Sequence, residues 1–331
     1  MRAKRVGLCA CVVAVMLAAA AQAGFVTVGN PGNADDTHGD GYGGVDYEYR
    51  MGTYEVTAGE YSDFLNAVAA TDTYGLYATG MTDTFGCQIT RSGTSGSYGY
   101  SVAGDWADRP VNYVSWYDAA RYCNWLTNGA TAGSDTENGV YDLTGLTTVG
   151  TILDHQAAPS MLGVTTAYFI PTEDEWYKAA YHKNDGVTGN YFDYSMSSDT
   201  VPSNDLVDPD PGNNGTFYDS GYTIGSLYYR TEVGAHENSG SPYGTFDQGG
   251  NVWEWNETLI SGSYRGVRGG SFDNYDGFLH ADYRDGFGPT VEVNVIGFRV
   301  ASLSVIPEPG SVVLLIVGLA GVVGRRRRVA R

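Results

Sequence analysis

Three short stretches, TAGE from Thr57 to Glu60, SWYD from Ser115 to Asp118 and TEDE from Thr172 to Glu175, each set a hydroxyl residue three positions ahead of a carboxylate. This is the reciprocal capping box, in which the hydroxyl and the carboxylate satisfy each other's backbone N–H groups at a helix N-terminus. Apolar residues follow each box at helical spacing: Tyr61, Phe64, Leu65 and Val68; Trp116, Ala120, Cys123, Trp125 and Leu126; Trp176, Ala179 and Ala180. Three short helices with one buried face each are therefore predicted. Gly129 ends the second as its C′ residue. The box carboxylates are read as caps, and the aromatic stripes as core.

Little else in the chain reads as helix. The 331 residues include 46 glycines, and only 17% are charged, a composition of many turns and little surface helix. VDYEYRMGTYEV, from Val45 to Val56, alternates enough for a strand or hairpin. Residues 70–108 and 184–242 are rich in Gly, Ser and Asp, and loops of that length need something to fix them. For an acidic chain a bound metal is the simplest fixative. The fold class is thus α+β and loop-rich, as one domain over residues 24–303 with no internal repeat.

Both ends read as addresses. Residues 1–23 have a basic start (MRAKR), an apolar run from Val6 to Ala20, and Ala21-Gln22-Ala23 ahead of Gly24, the arrangement that signal peptidase cleaves. Residues 304–331 hold Pro307-Glu308-Pro309, an apolar stretch from Val312 to Gly324 and Arg325 to Arg328. That stretch is short for a permanent span, which needs about 20 apolar residues. Between the two ends lie 11 of the 19 basic and 37 of the 38 acidic residues, a net charge of −26. This excludes nucleic acid as a partner and suits either cation binding or simple solubility. Cys9 and Cys11 fall in the leader, leaving Cys87 and Cys123 either bonded in an oxidising compartment or buried and free.

TFDQGGNVWEWNE, from Thr245 to Glu257, crowds Asp247, Glu254 and Glu257 with Asn251 and Asn256 around two glycines and two tryptophans. Two readings stand: a hard cation such as calcium, which takes six to eight oxygens, or an acidic turn pinned by its tryptophans with no ion.

EYRMGTYEVTAGEYSDFLNAV (48–68), RPVNYVSWYDAARYCNWL (109–126), FIPTEDEWYKAAY (169–181), YGTFDQGGNVWEWNE (243–257), YRGVRGGSF (264–272) and IGFRVA (296–301) resemble, in order, the block motifs of the formylglycine-generating enzyme, or sulfatase-modifying factor, family. The resemblance implies that family's fold, with a C-type-lectin-like core and bound calcium. It implies side-chain calcium ligands at Asp247 and Glu254, carbonyl ligands at Gly250 and Val252, and a second site using Asn190 and Asp219. The C-terminal residues closely resemble the PEP-CTERM sorting signal of Gram-negative bacteria, which implies exosortase processing and export to the cell surface or matrix, with at most transient anchoring in the inner membrane.

The family's oxidases hold copper(I) on two cysteines beyond RGGS. The matching positions here are Asn274 and Leu279, and copper(I) requires soft thiolates that these residues lack. Cys123 matches a position the family often bonds to a cysteine, but that partner position is Val300. His38, His155, His182, His236 and His280 show no iron-binding spacing. Arg284 and Arg299 match recurrent arginines and are read as structural ion-pair partners. The expectation is therefore an exported, calcium-stabilised binding protein with neither copper nor a catalytic residue, recognising a glycan or a protein. The alternatives are an active sulfatase-modifying oxidase and a non-haem iron oxidoreductase.

Overall fold

The computed structural model describes residues 24–37, 41–144 and 151–305. The N-terminal leader, His38 and nearly all of the C-terminal tail lie outside the described residues. All three predicted helices form, as α1 (Ala58–Val68), α3 (Trp116–Thr127) and α5 (Glu173–Tyr181); short turns of helix, α2 (Gly104–Ala107) and α4 (Ala158–Leu162), fall between them. Each of the three boxes is closed in both directions. Thr57 Oγ1 accepts from the Glu60 N–H at 3.2 Å while Glu60 Oε2 accepts from the Thr57 N–H at 2.9 Å. Ser115 with Asp118, and Thr172 with Glu175, repeat the pattern. Each cap is worth about 1 kcal/mol. Asn128 caps the end of α3, and Gly129 follows at φ +100°, the left-handed C′ position for which glycine suits.

Among the described residues ten short strands form three sheets. β1 (Phe25–Val28), β2 (Tyr49–Gly52), β10 (Ala301–Ser304) and β5 (Thr166–Phe169) make an antiparallel sheet in that order, so the first and last strands of the described residues flank β2. Within Val45–Val56 only Tyr49–Gly52 is strand, paired with Phe25–Val28 on one side and with Ala301 and Ser302 on the other. β3 (Thr90–Ser92) and β4 (Gly99–Ser101) form a hairpin inside residues 70–108. The third sheet runs β8 (Asp285–Phe287), β7 (Tyr264–Arg268), β6 (Trp253–Ser261) and β9 (Ile296–Gly297), with β6 and β9 parallel. Ser304 belongs to β10, and the Val305 N–H donates to Thr165 O.

The main core joins all three helices to both larger sheets. Trp116 at the start of α3 donates its indole N–H to Asn256 O at 3.1 Å, and Trp255 returns one to Val114 O at 2.9 Å. These reciprocal bonds lock β6 to α3 while satisfying two buried polar tips.

Buried polar side chains tie down the long loops. Asp210 is 3% exposed; its Oδ1 accepts from Gly212 N and Asn214 Nδ2, and its Oδ2 from Asn238 N and Ser239 Oγ. Arg230, fully buried, donates to Phe85 O and Gly86 O, tying the 184–242 stretch to the 70–108 stretch. Each such side chain replaces a missing ladder of backbone bonds.

Candidate functional site

β6, β7 and α5 converge on the acidic stretch. Glu254 is fully buried, as is Arg299 from the chain just ahead of β10. Glu254 Oε2 accepts from Arg299 Nε at 2.5 Å and from the Trp176 indole at 2.7 Å, and Oε1 accepts from Arg299 Nη2 at 2.7 Å. Arg299 also donates to Gly52 O and Phe246 O, so one guanidinium joins β2, the acidic loop and β6. Asp247, half-buried and at φ +61°, accepts the Gly234 N–H on Oδ2 at 2.6 Å. Burial, reinforced by Glu254, raises its pKa to about 6 despite the Gly234 bond and Arg299. Gly250, at φ +104°, has its N–H on Gly269 O, and a Cβ there would lie 2.3 Å from Thr216 O. Glycine is required at that crossing.

Protein groups already engage much of Glu254, one of the expected calcium ligands. Three of the four lone-pair directions of Glu254 are in use. Asn190 and Asp219 are exposed on the loops; Asn190 Nδ2 donates to Asp185 Oδ2, and the Asp219 N–H closes a turn on Gly221 O. Among the described residues no group of three or more His, Cys, Asp and Glu is placed to hold a metal. Arg299 is the positive charge that the acidic stretch gathers around. Arg284 is likewise an ion-pair partner: with Arg268 it clamps Glu173, the Arg268 Nε–Oε1 distance being 2.7 Å and the Arg284 Nη2–Oε2 distance 2.5 Å.

The positions matching the copper ligands are closed in a different way. Leu279 is fully buried in a small cluster with Tyr194, Met196 and Phe217, and its carbonyl accepts from Tyr181 Oη at 3.2 Å. Asn274 Oδ1 accepts from Ser271 Oγ at 2.6 Å, and its carbonyl accepts from Tyr218 N at 2.8 Å. An amide and an alkyl group do not fit copper(I). Cys87 and Cys123 are buried, unbonded to each other, and lie in the main core. Burial pushes both thiols up in pKa, which suppresses the thiolate that metals and oxidants need.

What surrounds Asn274 is aromatic. Tyr275, 58% exposed, meets the edge of Tyr218 at 5.5 Å; Tyr218 meets Tyr222 at 5.1 Å, and Tyr222 meets Tyr229 at 5.1 Å. The three inner tyrosines are half-buried, and Tyr229 and Tyr222 rest on buried Phe272. Tyr222 Oη donates to Asp273 Oδ1 at 2.9 Å. The chain thus presents a partly rigid tyrosine ridge flanked by Asp219, Asp273 and Asp276. The sequence reading singled out none of Tyr218, Tyr222 and Tyr229, which reach Tyr275 from a loop more than forty residues away. Their local spacing carries no period that would have gathered them.

The family model for the sulfatase-modifying factor enzyme 1-like domain matches residues 21–303. The chain belongs to that family. A model of the PEP-CTERM protein-sorting motif matches residues 305–328. Among solved structures, the Treponema denticola variable protein 1 is 21% identical at TM-score 0.50, covering 84% of this chain and 94% of that one. CarF is 20% identical at TM-score 0.46 with 84% and 97% covered, and PvdO from Pseudomonas aeruginosa 18% identical at 0.44 with 84% and 91% covered. Comparison with curated proteins finds no match. The sulfatase-modifying factor-like domain here is thus the α+β, loop-rich fold expected, joined to a sorting motif that marks the protein as exported and as an exosortase substrate.

Proposed function

We propose that this exported sulfatase-modifying factor-like domain is a binding protein of the cell surface or matrix that works without turnover. The observation that carries the reading is the exchange at one place in the scaffold: Leu279 is sealed in apolar packing, Asn274 is tied to Ser271, and a tyrosine ridge stands beside them. Flat aromatic faces with a few fixed carboxylates suit a sugar ring or a peptide, because stacking supplies contact area and the oxygens orient hydroxyl or N–H donors. Tyrosine achieves this with few rotors to freeze. A glycan is the preferred ligand class, since the ridge is acidic at Asp219, Asp273 and Asp276 and carbohydrate hydroxyls donate well to carboxylates.

The test is a glycan array probed with the mature chain, followed by the Tyr275→Ala and Tyr218→Ala variants on any glycan retained. The reading expects each variant to weaken binding about tenfold, the scale of one lost stacking contact, with Tm unchanged for the exposed Tyr275. Binding that survives both substitutions would remove the ridge from the account.

A further inference from the structure

Three phenols of the ridge touch edge to face in a run that ends at the surface. Tyr222 meets Tyr218 at 5.1 Å and Tyr218 meets Tyr275 at 5.5 Å, with interplanar angles of 76° and 87°. Tyr275 is 58% exposed, whereas Tyr218 and Tyr222 are half-buried. Buried Phe272 backs Tyr222 at 6.3 Å, so the inner end is held against the core.

Tyr222 Oη donates to Asp273 Oδ1 at 2.9 Å, within the reach a base needs to take a proton. That hydrogen bond, with burial adding to it, pushes the phenol up to about 12, so Tyr222 is a neutral phenol at physiological pH. A neutral phenol that loses an electron becomes a very strong acid, and its proton has to leave with the electron. Here the acceptor is already bonded.

Other tyrosines lack this combination of exposure, contact and base. Of the remaining exposed ones, Tyr54 meets Phe246, Tyr74 lies under Arg121, and Tyr264 is in ring contact with no other tyrosine among the described residues. Half-buried Tyr228 also donates to a carboxylate, Asp105 at 2.8 Å, but the Arg109 guanidinium lies over its ring at 3.9 Å. A cation held on the ring face opposes removal of an electron.

We propose that the ridge is a one-electron oxidation site: an extracellular peroxidase-type oxidant takes an electron from Tyr222, Asp273 takes the proton, and the radical passes through Tyr218 to Tyr275, which couples to Tyr275 of a second copy. In the passage Tyr275 gives its electron to the inner phenols and its proton to water, while Asp273 returns the proton it took. Two Tyr275 phenoxyl radicals then form a C–C bond between carbons ortho to oxygen, and each ring regains aromaticity by moving its ortho hydrogen to the oxygen. Two phenols and one hydrogen peroxide thus give one dityrosine and two waters, the phenols being oxidised and the peroxide reduced. One exposed end per ridge joins copies in covalent pairs. Export suits this chemistry, since it takes the phenols out of the reducing cytosol.

The test treats the mature chain, with no glycan present, with a haem peroxidase and one hydrogen peroxide for every two chains, and follows dityrosine fluorescence, covalent dimer and the mass of the linked peptides. The expected product is a dimer whose linked peptides both contain Tyr275. Tyr275→Phe is expected to lower dimer yield at least about tenfold. Asp273→Asn and Tyr222→Phe, which keep the side-chain shapes and remove the base or the hydroxyl, are each expected to slow dimer formation about tenfold, a modest share of what a positioned base contributes. Links spread evenly over Tyr54, Tyr74 and Tyr264 overturn the proposal, as does a yield that Tyr275→Phe leaves unchanged. A rate unchanged in Asp273→Asn or in Tyr222→Phe also overturns it. Should a variant fail to fold, the linked peptides of the unmutated chain decide alone: Tyr275 to Tyr275 supports the site, and any other dominant pair removes it.

Discussion

Arg299 Nε and Nη2 hold the two oxygens of Glu254 at 2.5 and 2.7 Å, with both side chains fully buried. Removing one partner of such a pair strands the other in a low-dielectric interior, at a cost of about 3–5 kcal/mol. Arg299→Leu is expected to lose at least that, because the bonds to Gly52 O and Phe246 O are lost too. Urea unfolding of the variant checks this. A loss under about 1 kcal/mol would mean the pair is not what holds the acidic stretch.

Chelation tests whether a metal adds to this pairing. With Arg299 compensating Glu254, and with the loops tied by Asp210 and Arg230, EDTA is expected to shift Tm by less than about 2 °C. A larger drop, reversed by calcium, would restore the cage that the resemblance implies at Asp247, Gly250, Val252 and Glu254.

His155 should give the molecule a measurable pH dependence. Its ring nitrogens lie 3.1 Å from Glu175 Oε1 and 3.1 Å from Glu257 Oε1, and the ring stacks on Phe169. Burial alone would lower its pKa, but the two carboxylates outweigh burial and raise it to about 10. Because the folded value exceeds the unfolded one, near 6.5, the imidazolium's contribution is complete below pH about 6.5 and is lost as pH rises toward about 10. His155→Gln should therefore destabilise by about 3 kcal/mol at pH 6 and by much less at pH 10. Calorimetry of both chains across that range checks the sign. A gap that widens with pH would contradict it.

The two thiols should be inert. Cys87 and Cys123 are fully buried, with thiol pKa values pushed up by burial. Ellman's reagent is expected to find none in the folded mature chain and both after denaturation. Rapid reaction of either in the native state would undo the case against a thiol-bound metal.

The capping boxes were legible because they are local: Thr57, Ser115 and Thr172 each need a partner only three residues on. Gly129 was legible for the same reason. Arg299 was read as an ion-pair partner, but its particular partner was not legible because it arrives 45 residues after Glu254, and the pairing is fixed by β9 and β10 rather than by spacing. Sequence shows the length of the loops and not the side chains, Asp210 and Arg230, that turn inward to hold polar groups. The tyrosine ridge was hidden by irregular structure. Tyr222 and Tyr275 share a neighbour in Tyr218, yet no helix or strand period links them.

The central claim is that this sulfatase-modifying factor-like scaffold has exchanged thiol chemistry for binding. Its most direct test is incubation of the mature protein with a CxPxR-containing peptide, copper(I) and O₂, followed by mass spectrometry of the peptide. With Asn274 and Leu279 where a thiol pair would stand, the account predicts an unchanged cysteine. Conversion of that cysteine to formylglycine, with turnover proportional to the protein added, would contradict it.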